Sequence, residues 1–314
     1  MKVAALDFGS NTFLCLIAEV TEEGLGTIYS DEVEMVRLGQ GLNQNKKFHP
    51  EALERADRCM QKFAQTIAQH QPEKILAMAT SAARDAENKD ELFQLAQKHG
   101  IPLEIIAGDK EATITYQGAV SAQTNPQQGL LVIDIGGGST EFIFGQGPKL
   151  LTGKSFDIGC VRLTEKFITA QPTSDTEVQN VVQSLDKALN EVRSLMPLGF
   201  QLDTILAVAG TPTALAAADL GYFDAAKIDG YELTEEMLAH WVQRLQKATV
   251  EEKIKMGIPE GRADVILIGA LTLWRALKIF QQTRILVSTR GVRYGVALEI
   301  ARRAHSTAHT ATRA

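Results

Sequence analysis

The sequence predicts an α/β protein, because short strand-like runs alternate with helical apolar periods along its 314 residues. The strand candidates, each bounded by turn residues, are Lys2–Asp7, Phe13–Val20, Lys74–Ala79, Leu103–Ile106, Leu130–Ile135, Glu141–Phe144, Thr204–Val208 and Arg284–Val287. The chain is longer than one typical domain, which favours two domains.

Helices are predicted where apolar residues recur at three- and four-residue steps. One such stripe runs from Leu53 to Ile67 after Pro50, a second from Val178 to Val192 and a third from Leu238 to Leu245. Stripes of this kind are typical of core packing. The tail after Arg303 is expected to be frayed.

The longest apolar stretch, Ala263 to Phe280, includes Asp264, Arg275 and Lys278. These charges favour a buried helix over a membrane span. Whether part of this helix also serves a homodimer interface is left open by the sequence.

The bulk composition limits the function classes. The net charge of −6 argues against a general nucleic-acid binder, although a local cluster of Arg and backbone N–H groups can still bind an anion. Three cysteines without a CxxC pair fit a reducing compartment, and the N-terminus has no signal-like segment. A cytoplasmic protein with no membrane or nucleic-acid partner is expected. The six histidines form no pattern typical of a zinc site.

One short segment occurs twice. Each copy has a strand, an Asp-x-Gly step, a turn with small hydroxyl residues and a second strand; the copies are Asp7–Phe13 and Asp134–Phe142. This repeat predicts two related domains, 1–124 and 125–314, with a boundary near residue 125.

Both repeated turns have the composition of a phosphate cradle. Glycines let the backbone approach an anion closely, and turn N–H groups and hydroxyls can donate to its oxygens. An Asp at the end of each preceding strand can hold a hydrated divalent metal. A single turn of this kind is as often an ordinary hairpin, but two copies favour the cradle. A dinucleotide fingerprint would need Gly at Glu141, and a Walker loop ending at Ser155 would need Gly at Pro148, so both are excluded.

Two further segments follow strands. The turn at Gly210 and Thr211 opens an Ala-rich helix, and a helix N-terminus can bind an anion or be an ordinary strand-to-helix turn. Arg84 lies in a strand-end loop, where its guanidinium can bind a phosphate or form a surface salt bridge.

Two carboxylates are candidates for the chemistry. Glu141 directly follows the second glycine turn. Glu111 lies near the start of a predicted helix, where an acid near a bound anhydride can orient or deprotonate water. Taken alone, Glu111 is also an ordinary first-turn acid, stabilised by the helix dipole.

The ordered motifs together resemble the exopolyphosphatase/guanosine pentaphosphate phosphatase family in its short form, from Val3 to about Glu299. The segments that carry the resemblance are ALDFGSNTF (5–13), VRLGQGL (36–42), ATSAARDAEN (79–88), GDKEA (108–112), DIGGGSTEFIFG (134–145), IGCVRLTEKF (158–167), AGTPTALAA (209–217), GRADVILIGAL (261–271) and VSTRGVRYGVALE (287–299). The resemblance implies two actin-like, ribonuclease H-like domains of the ASKHA superfold with a cleft between them, and a C-terminal helix at about 291–304 that can pack back on the first domain.

The resemblance also implies roles for particular residues. Glu111 would be the base for water, Glu141 would help to place metal and water, and Arg84 would clamp a phosphate. The residues expected to cradle the phosphate chain are Ser10, Asn11, Thr12, Gly137, Gly138, Ser139, Thr140, Gly210 and Thr211. Magnesium, or manganese in its place, would lie near Asp7, Asp134 and Glu141.

The expected activity is hydrolysis of the terminal phosphate of inorganic polyphosphate. Guanosine pentaphosphate, hydrolysed to the tetraphosphate, is the nearest alternative, because both substrates end in the same anhydride. A kinase of the same superfold, a non-catalytic sensor of polyphosphate or alarmone, and a filament-forming actin relative are further alternatives. Long members of the family carry an additional helical region resembling an HD-type domain, for which this chain is expected to be too short. Pro212 follows the Gly-Thr pair where many members have another small residue.

Overall fold

The computed structural model describes residues 1–21, 23–122 and 125–311, with side chains up to His305. The chain divides into two compact units. Unit 1 consists of Met1–Ser121 together with Arg290–Ala314, and unit 2 of Ala122–Thr289. The first unit is therefore discontinuous in sequence.

The strands account for both sheets. They are β1 (Lys2–Phe8), β2 (Thr12–Thr21), β3 (Gly24–Met35), β4 (Lys74–Ala79), β5 (Leu103–Ile105), β6 (Gly129–Ile135), β7 (Thr140–Gln146), β8 (Lys149–Phe156), β9 (Thr204–Val208), β10 (Glu232–Thr234) and β11 (Arg284–Val287). All eight predicted strands are present, with boundaries that differ by two residues at most.

The helices cover the sheets. They are α1 (Leu42–Asn45), α2 (Pro50–His70), α3 (Ser81–Asp85), α4 (Lys89–Lys98), α5 (Gly108–Ala119), α6 (Cys160–Phe167), α7 (Asp175–Ser194), α8 (Gly210–Leu220), α9 (Ala225–Ile228), α10 (Glu235–Lys247), α11 (Val250–Lys255), α12 (Glu260–Ala263), α13 (Ile266–Phe280) and α14 (Val292–Ala311). The tail after Arg303, expected to be frayed, has helical backbone as far as Ala311.

The two sheets have the same topology. In unit 1 the order is β3-β2-β1-β4-β5, with β1, β2 and β3 antiparallel and β1, β4 and β5 parallel. In unit 2 the strands β8-β7-β6-β9-β11 repeat this order and these directions, and β10 adds an antiparallel edge. The α/β prediction is confirmed, and the repeated segment occupies the first hairpin of each sheet.

The core of unit 1 lies on both faces of its sheet. On one face the apolar stripe of α2, including Met60 and Phe63, packs with alternate residues of β1 such as Leu6. Because side chains alternate along a strand, Ala5 points to the other face, where it packs with Val296 of α14. The sheet is therefore covered on both sides, as is typical of sheets with parallel strands.

The helices α5 and α14 approach each other closely through glycines. A Cβ added at Gly118 would lie 2.2 Å from the carbonyl oxygen of Gly291, and one added at Gly295 would lie 1.9 Å from that of Ile114. No side chain fits at either position without moving backbone. This close packing places α14 firmly in unit 1.

Unit 2 has one large core. All seven residues of β6 are buried, as expected of a central strand with helices on both faces. The apolar stretch predicted as a buried helix, Ala263 to Phe280, contains the largely buried helix α13, which begins at Ile266; Ala263 is the last residue of α12. Among the described helices, none is long and apolar enough to cross a membrane.

Candidate active site

The two repeated turns are closed by the same hydrogen bond. In unit 1 the N–H of Gly9 donates to the carbonyl of Thr12 at 3.0 Å, and in unit 2 the N–H of Gly136 donates to that of Ser139 at 3.0 Å. A Cβ added at Gly9 would lie 3.0 Å from the Thr12 carbonyl oxygen, and a Cβ added at Gly136 would lie 2.9 Å from the Ser139 carbonyl oxygen. The glycine in each Asp-x-Gly step is therefore needed for the tight approach.

In unit 2 the carbonyl groups of the turn are all tied to the segment that begins α6. The oxygens of Gly136, Gly137 and Gly138 accept hydrogen bonds from backbone N–H groups of Gly159–Arg162 at 2.9 to 3.3 Å. The side chain of Arg162 adds a bond from Nε to the oxygen of Gly138 at 2.7 Å. A planar trans peptide holds each C=O opposite to the following N–H. The N–H groups of residues 137–139 consequently point away from α6, in the arrangement of an anion cradle.

The turn in unit 1 is supported in the same way. The carbonyl of Ser10 accepts from the N–H of Gly39 at 2.8 Å, and that of Asn11 accepts from Val36 and Arg37 at 3.1 and 2.8 Å. The N–H groups of residues 11 and 12 therefore point away from this supporting segment.

The supporting segments of the two turns share a sequence. Val36–Leu38 and Val161–Leu163 both read Val-Arg-Leu. In each unit this tripeptide donates backbone N–H groups to the turn carbonyls. The internal repeat thus extends beyond the Asp-x-Gly segment, which the sequence analysis did not detect.

Hydroxyl and amide side chains of the first turn meet a weak acceptor. Asn11 Nδ2 and Thr12 Oγ1 lie 3.7 and 3.5 Å from Met35 Sδ. Thioether sulfur accepts hydrogen bonds poorly, so a phosphate oxygen would be a better partner for these donors. Ser10 and Asn11 are both buried.

Two carboxylates of unit 2 lie side by side. Asp134 on β6 is directly opposite Glu141 on β7, and only 6% and 1% of their surfaces are exposed. Directly opposed residues of an antiparallel pair have Cβ atoms about 5 Å apart, and like charges in these positions are destabilising. A divalent cation would offset this repulsion, and carboxylate oxygens are ligands that Mg²⁺ prefers. The donor set therefore fits a magnesium ion.

The corresponding position in unit 1 differs. Asp7 is opposite Leu14, so the first turn has one strand-end carboxylate where the second has two. Among the described residues no group of three or more His, Cys, Asp and Glu side chains is arranged to hold a metal. Of the three predicted metal ligands, Asp134 and Glu141 belong to one unit and Asp7 to the other.

Arg84 and Glu111 form an ion pair. Arg84 Nη1, on α3, lies 2.5 Å from Glu111 Oε2, on α5, and also donates to the carbonyl of Ile106 at 3.0 Å. Glu111 is 5% exposed and the Arg84 side chain 23% exposed. From the sequence alone, Arg84 could equally form a surface salt bridge and Glu111 could be an ordinary first-turn acid. The structure places both in one partly buried contact.

Two predicted hydroxyl donors have protein partners. Thr140 Oγ1 donates to the carbonyl of Ile158 at 3.2 Å. The side chain of Thr211 is fully buried, with Oγ1 3.6 Å from Cys160 Sγ. The hydroxyl groups of these two residues are therefore engaged within unit 2.

The third turn contains a strained residue and a buried arginine. Ala209, which precedes α8, has φ 73° and ψ −170°, a region that only glycine adopts readily. The guanidinium of Arg262 packs against Gly210, since a Cβ added there would lie 1.9 Å from Nη2. Burial lowers the pKa of Arg262. Arg262 lies in the Gly-Arg-Ala-Asp segment that resembles the family, but its sequence context gave no signal of this role.

Comparison with known proteins agrees with this architecture. Residues 16–304 match the model of the Ppx/GppA phosphatase family, so the chain belongs to that family. It is a hydrolase of the phosphatase class. The chain is 32% identical over 319 residues to "Exopolyphosphatase 2" of Mycobacterium tuberculosis, covering 96% of this chain and 98% of that protein.

Solved structures of the family also have the fold of this chain. A Ppx/GppA family member from Aquifex aeolicus has 29% identity and a TM-score of 0.80, covering 96% of this chain and 98% of its own. An exopolyphosphatase from Cytophaga hutchinsonii has 26% identity and a TM-score of 0.88, covering 96% and 97%. These structures confirm the two-sheet α/β fold of the family.

Proposed function

We propose that the protein is a magnesium-dependent exopolyphosphatase, which releases orthophosphate from the end of inorganic polyphosphate. The observation that carries the proposal is in unit 2, where an N–H cradle at residues 137–139 adjoins the buried carboxylate pair Asp134 and Glu141. A cradle with a metal site beside it fits a terminal phosphate with its cation. The exopolyphosphatase names of its relatives support the choice of substrate.

In the proposed reaction, water attacks the terminal phosphorus in line with the bridging oxygen that leaves. Glu111 accepts the water proton as the P–O bond forms, the bridging P–O bond breaks, and the shortened chain leaves with the electron pair. Arg84, which lies beside Glu111 in unit 1, stabilises the negative charge on the equatorial oxygens. Mg²⁺, bound by Asp134 and Glu141, would supply further charge neutralisation.

The Arg84–Glu111 ion pair has a consequence for this mechanism. Both groups have other roles once substrate is bound, since Arg84 contacts phosphate and Glu111 contacts water. An anionic phosphate competes with the Glu111 carboxylate for the guanidinium. Substrate binding would therefore release Glu111 to act as the base.

The test is phosphate release with Mg²⁺ from polyphosphates of several lengths and from guanosine pentaphosphate. The variants are Glu111→Gln and, as a matched control, Asp109→Asn, which changes an exposed acid in the same helical turn. We expect turnover of polyphosphate by the wild type and the control, and a loss of at least about 100-fold in Glu111→Gln, the lower limit for a general base. Faster turnover of guanosine pentaphosphate would assign the alarmone as substrate, and no turnover of either would refute the proposal.

A further inference from the structure

A row of three polar residues crosses three neighbouring strands of unit 2. Asp134 on β6 is opposite Glu141 on β7, and Glu141 is in turn opposite Ser155 on β8. Directly opposite residues point to the same face of a sheet. The row therefore adds one hydroxyl to the carboxylate pair. This hydroxyl comes from β8, which lies outside the segments that carry the family resemblance.

The Ser155 hydroxyl acts directly on Glu141. Ser155 Oγ donates to Glu141 Oε1 at 2.7 Å, and Ser139 Oγ donates to the same oxygen at 2.8 Å. The terminal torsion of a glutamate is otherwise broad, because its carboxylate rotates with little preference. Rotation here would break both hydrogen bonds, so the two hydroxyls fix the plane of the carboxylate.

The two hydroxyls are not equivalent. Ser139 belongs to the glycine turn, which would contact the substrate directly. Ser155 lies within β8, whose pairing with β7 continues on both sides of the row, at Phe156 and at Lys154. The position of Ser155 is therefore fixed by the sheet and not by the conformation of the glycine turn.

We propose that Ser155 is a positioning residue, which holds the Glu141 carboxylate beside Asp134 in the orientation that binds a divalent cation. This inference rests on the proposed function, because it deepens the assignment of the metal site in unit 2. Residues that orient metal ligands typically change metal affinity or activity by 10- to 100-fold when removed. Since Ser139 remains as a second donor, we expect the lower end of that range.

The experiment uses the full chain and Mn²⁺ alone as probe, with free Mn²⁺ measured by electron paramagnetic resonance. We expect Ser155→Ala to weaken Mn²⁺ binding by about 10-fold, whereas Ser155→Thr, which keeps the hydroxyl, restores it. The matched control is Thr152→Ala on the same strand, which removes a half-buried hydroxyl outside the row. Phosphate release is measured in parallel, and we expect kcat to fall in Ser155→Ala while KM for polyphosphate changes little.

Each outcome decides the inference. Unchanged Mn²⁺ binding in Ser155→Ala, an equal loss in Thr152→Ala, failure of Ser155→Thr to restore binding, or no saturable Mn²⁺ binding by the wild type would overturn it. A wild type that binds Mn²⁺ in a Ser155-dependent way but hydrolyses no phosphoanhydride would support the inference and refute the proposed function. Thermal unfolding of each variant shows whether Ser155→Ala folds; if it does not, Ser155→Cys, which removes the hydroxyl at similar volume, takes the place of alanine.

Discussion

Arg84 Nη1 lies 2.5 Å from Glu111 Oε2, and the same nitrogen donates to the carbonyl of Ile106. One guanidinium thus connects α3, the end of β5 and α5 within unit 1. Because Glu111 is buried, the ion pair with Arg84 offsets part of the free-energy cost of burying its carboxylate.

Removal of the Arg84 side chain should destabilise the protein. In Arg84→Ala the buried Glu111 carboxylate loses one cationic partner, which costs about 1–3 kcal/mol after allowance for the partial exposure of Arg84. Urea unfolding measures the loss. Arg58→Ala is the control, because Arg58 and Glu54 form an exposed pair at 3.9 Å and should contribute under about 0.5 kcal/mol. Equal losses in the two variants would contradict a structural role for the buried pair.

Gly118→Ala should disrupt the packing of α5 against α14. The added methyl group would lie 2.2 Å from a backbone oxygen, so the helices must separate, at a cost of about 3 kcal/mol or more. Thermal unfolding and the urea midpoint report the change. Gly26→Ala is the control, because its methyl would meet only the Glu19 side chain at 3.5 Å. A Gly118→Ala variant as stable as this control would show that the helices tolerate separation.

The stability of unit 1 should depend on the ionisation of Glu299 at acid pH. This carboxylate on α14 accepts hydrogen bonds from Arg302, Lys110 and Arg303, which lower its pKa from 4.5 to about 2. Because the folded pKa is depressed, the stabilisation is complete above pH 4.5 and is lost as pH falls towards 2. A shift of this size corresponds to roughly 3 kcal/mol.

The measurement is the free energy of unfolding between pH 2.5 and 7 for the wild type and Glu299→Gln. The difference between the two should be largest above pH 4.5 and should shrink as the pH is lowered. Glu54→Gln serves as the comparison, since that carboxylate is exposed. A Glu299→Gln difference that is constant over the whole range would disprove the linkage.

Ala209→Gly should stabilise the protein. The backbone at Ala209 costs an alanine about 1–3 kcal/mol, whereas glycine adopts it without strain and loses about 0.5–1 kcal/mol through its more flexible unfolded state. We therefore expect a net gain of about 1 kcal/mol by thermal or urea unfolding. Ala217→Gly within α8 should instead lose about 1 kcal/mol. Destabilisation of both variants alike would mean that residue 209 is not strained.

The strands absent from the sequence prediction have one property in common. β3, β8 and β10 each lie at the edge of a sheet. An edge strand is more exposed and carries more polar residues, as in β3, where Ser30, Asp31, Glu32 and Glu34 interrupt the apolar pattern. The central strands β4 and β9 are nearly continuous apolar runs, and the predicted boundaries of both agree with the structure.

The site was predictable where chemistry and local sequence coincide. Asp-x-Gly steps and clustered hydroxyls identify both turns, because the backbone there demands glycine. The contact of Ser155 with Glu141 depends on strand register over 14 residues, and the pairing of Arg84 with Glu111 depends on a fold that joins residues 27 apart. Neither contact has a signal in the local sequence. The Val-Arg-Leu repeat that supports the turns, by contrast, can be read directly from the sequence.

The discontinuity of unit 1 affects how the protein is made. Synthesis proceeds from the N-terminus, so the ribosome produces the whole of Ala122–Thr289 before it reaches the helix that completes the first unit. At ordinary elongation rates the interval is roughly 10 to 30 s. Throughout that time the face of the first sheet that carries Val3, Ala5 and Leu16 lacks its cover from α14. Unit 2 can therefore fold before unit 1 is complete. During this interval the exposed apolar face of unit 1 is a surface that a chaperone can bind.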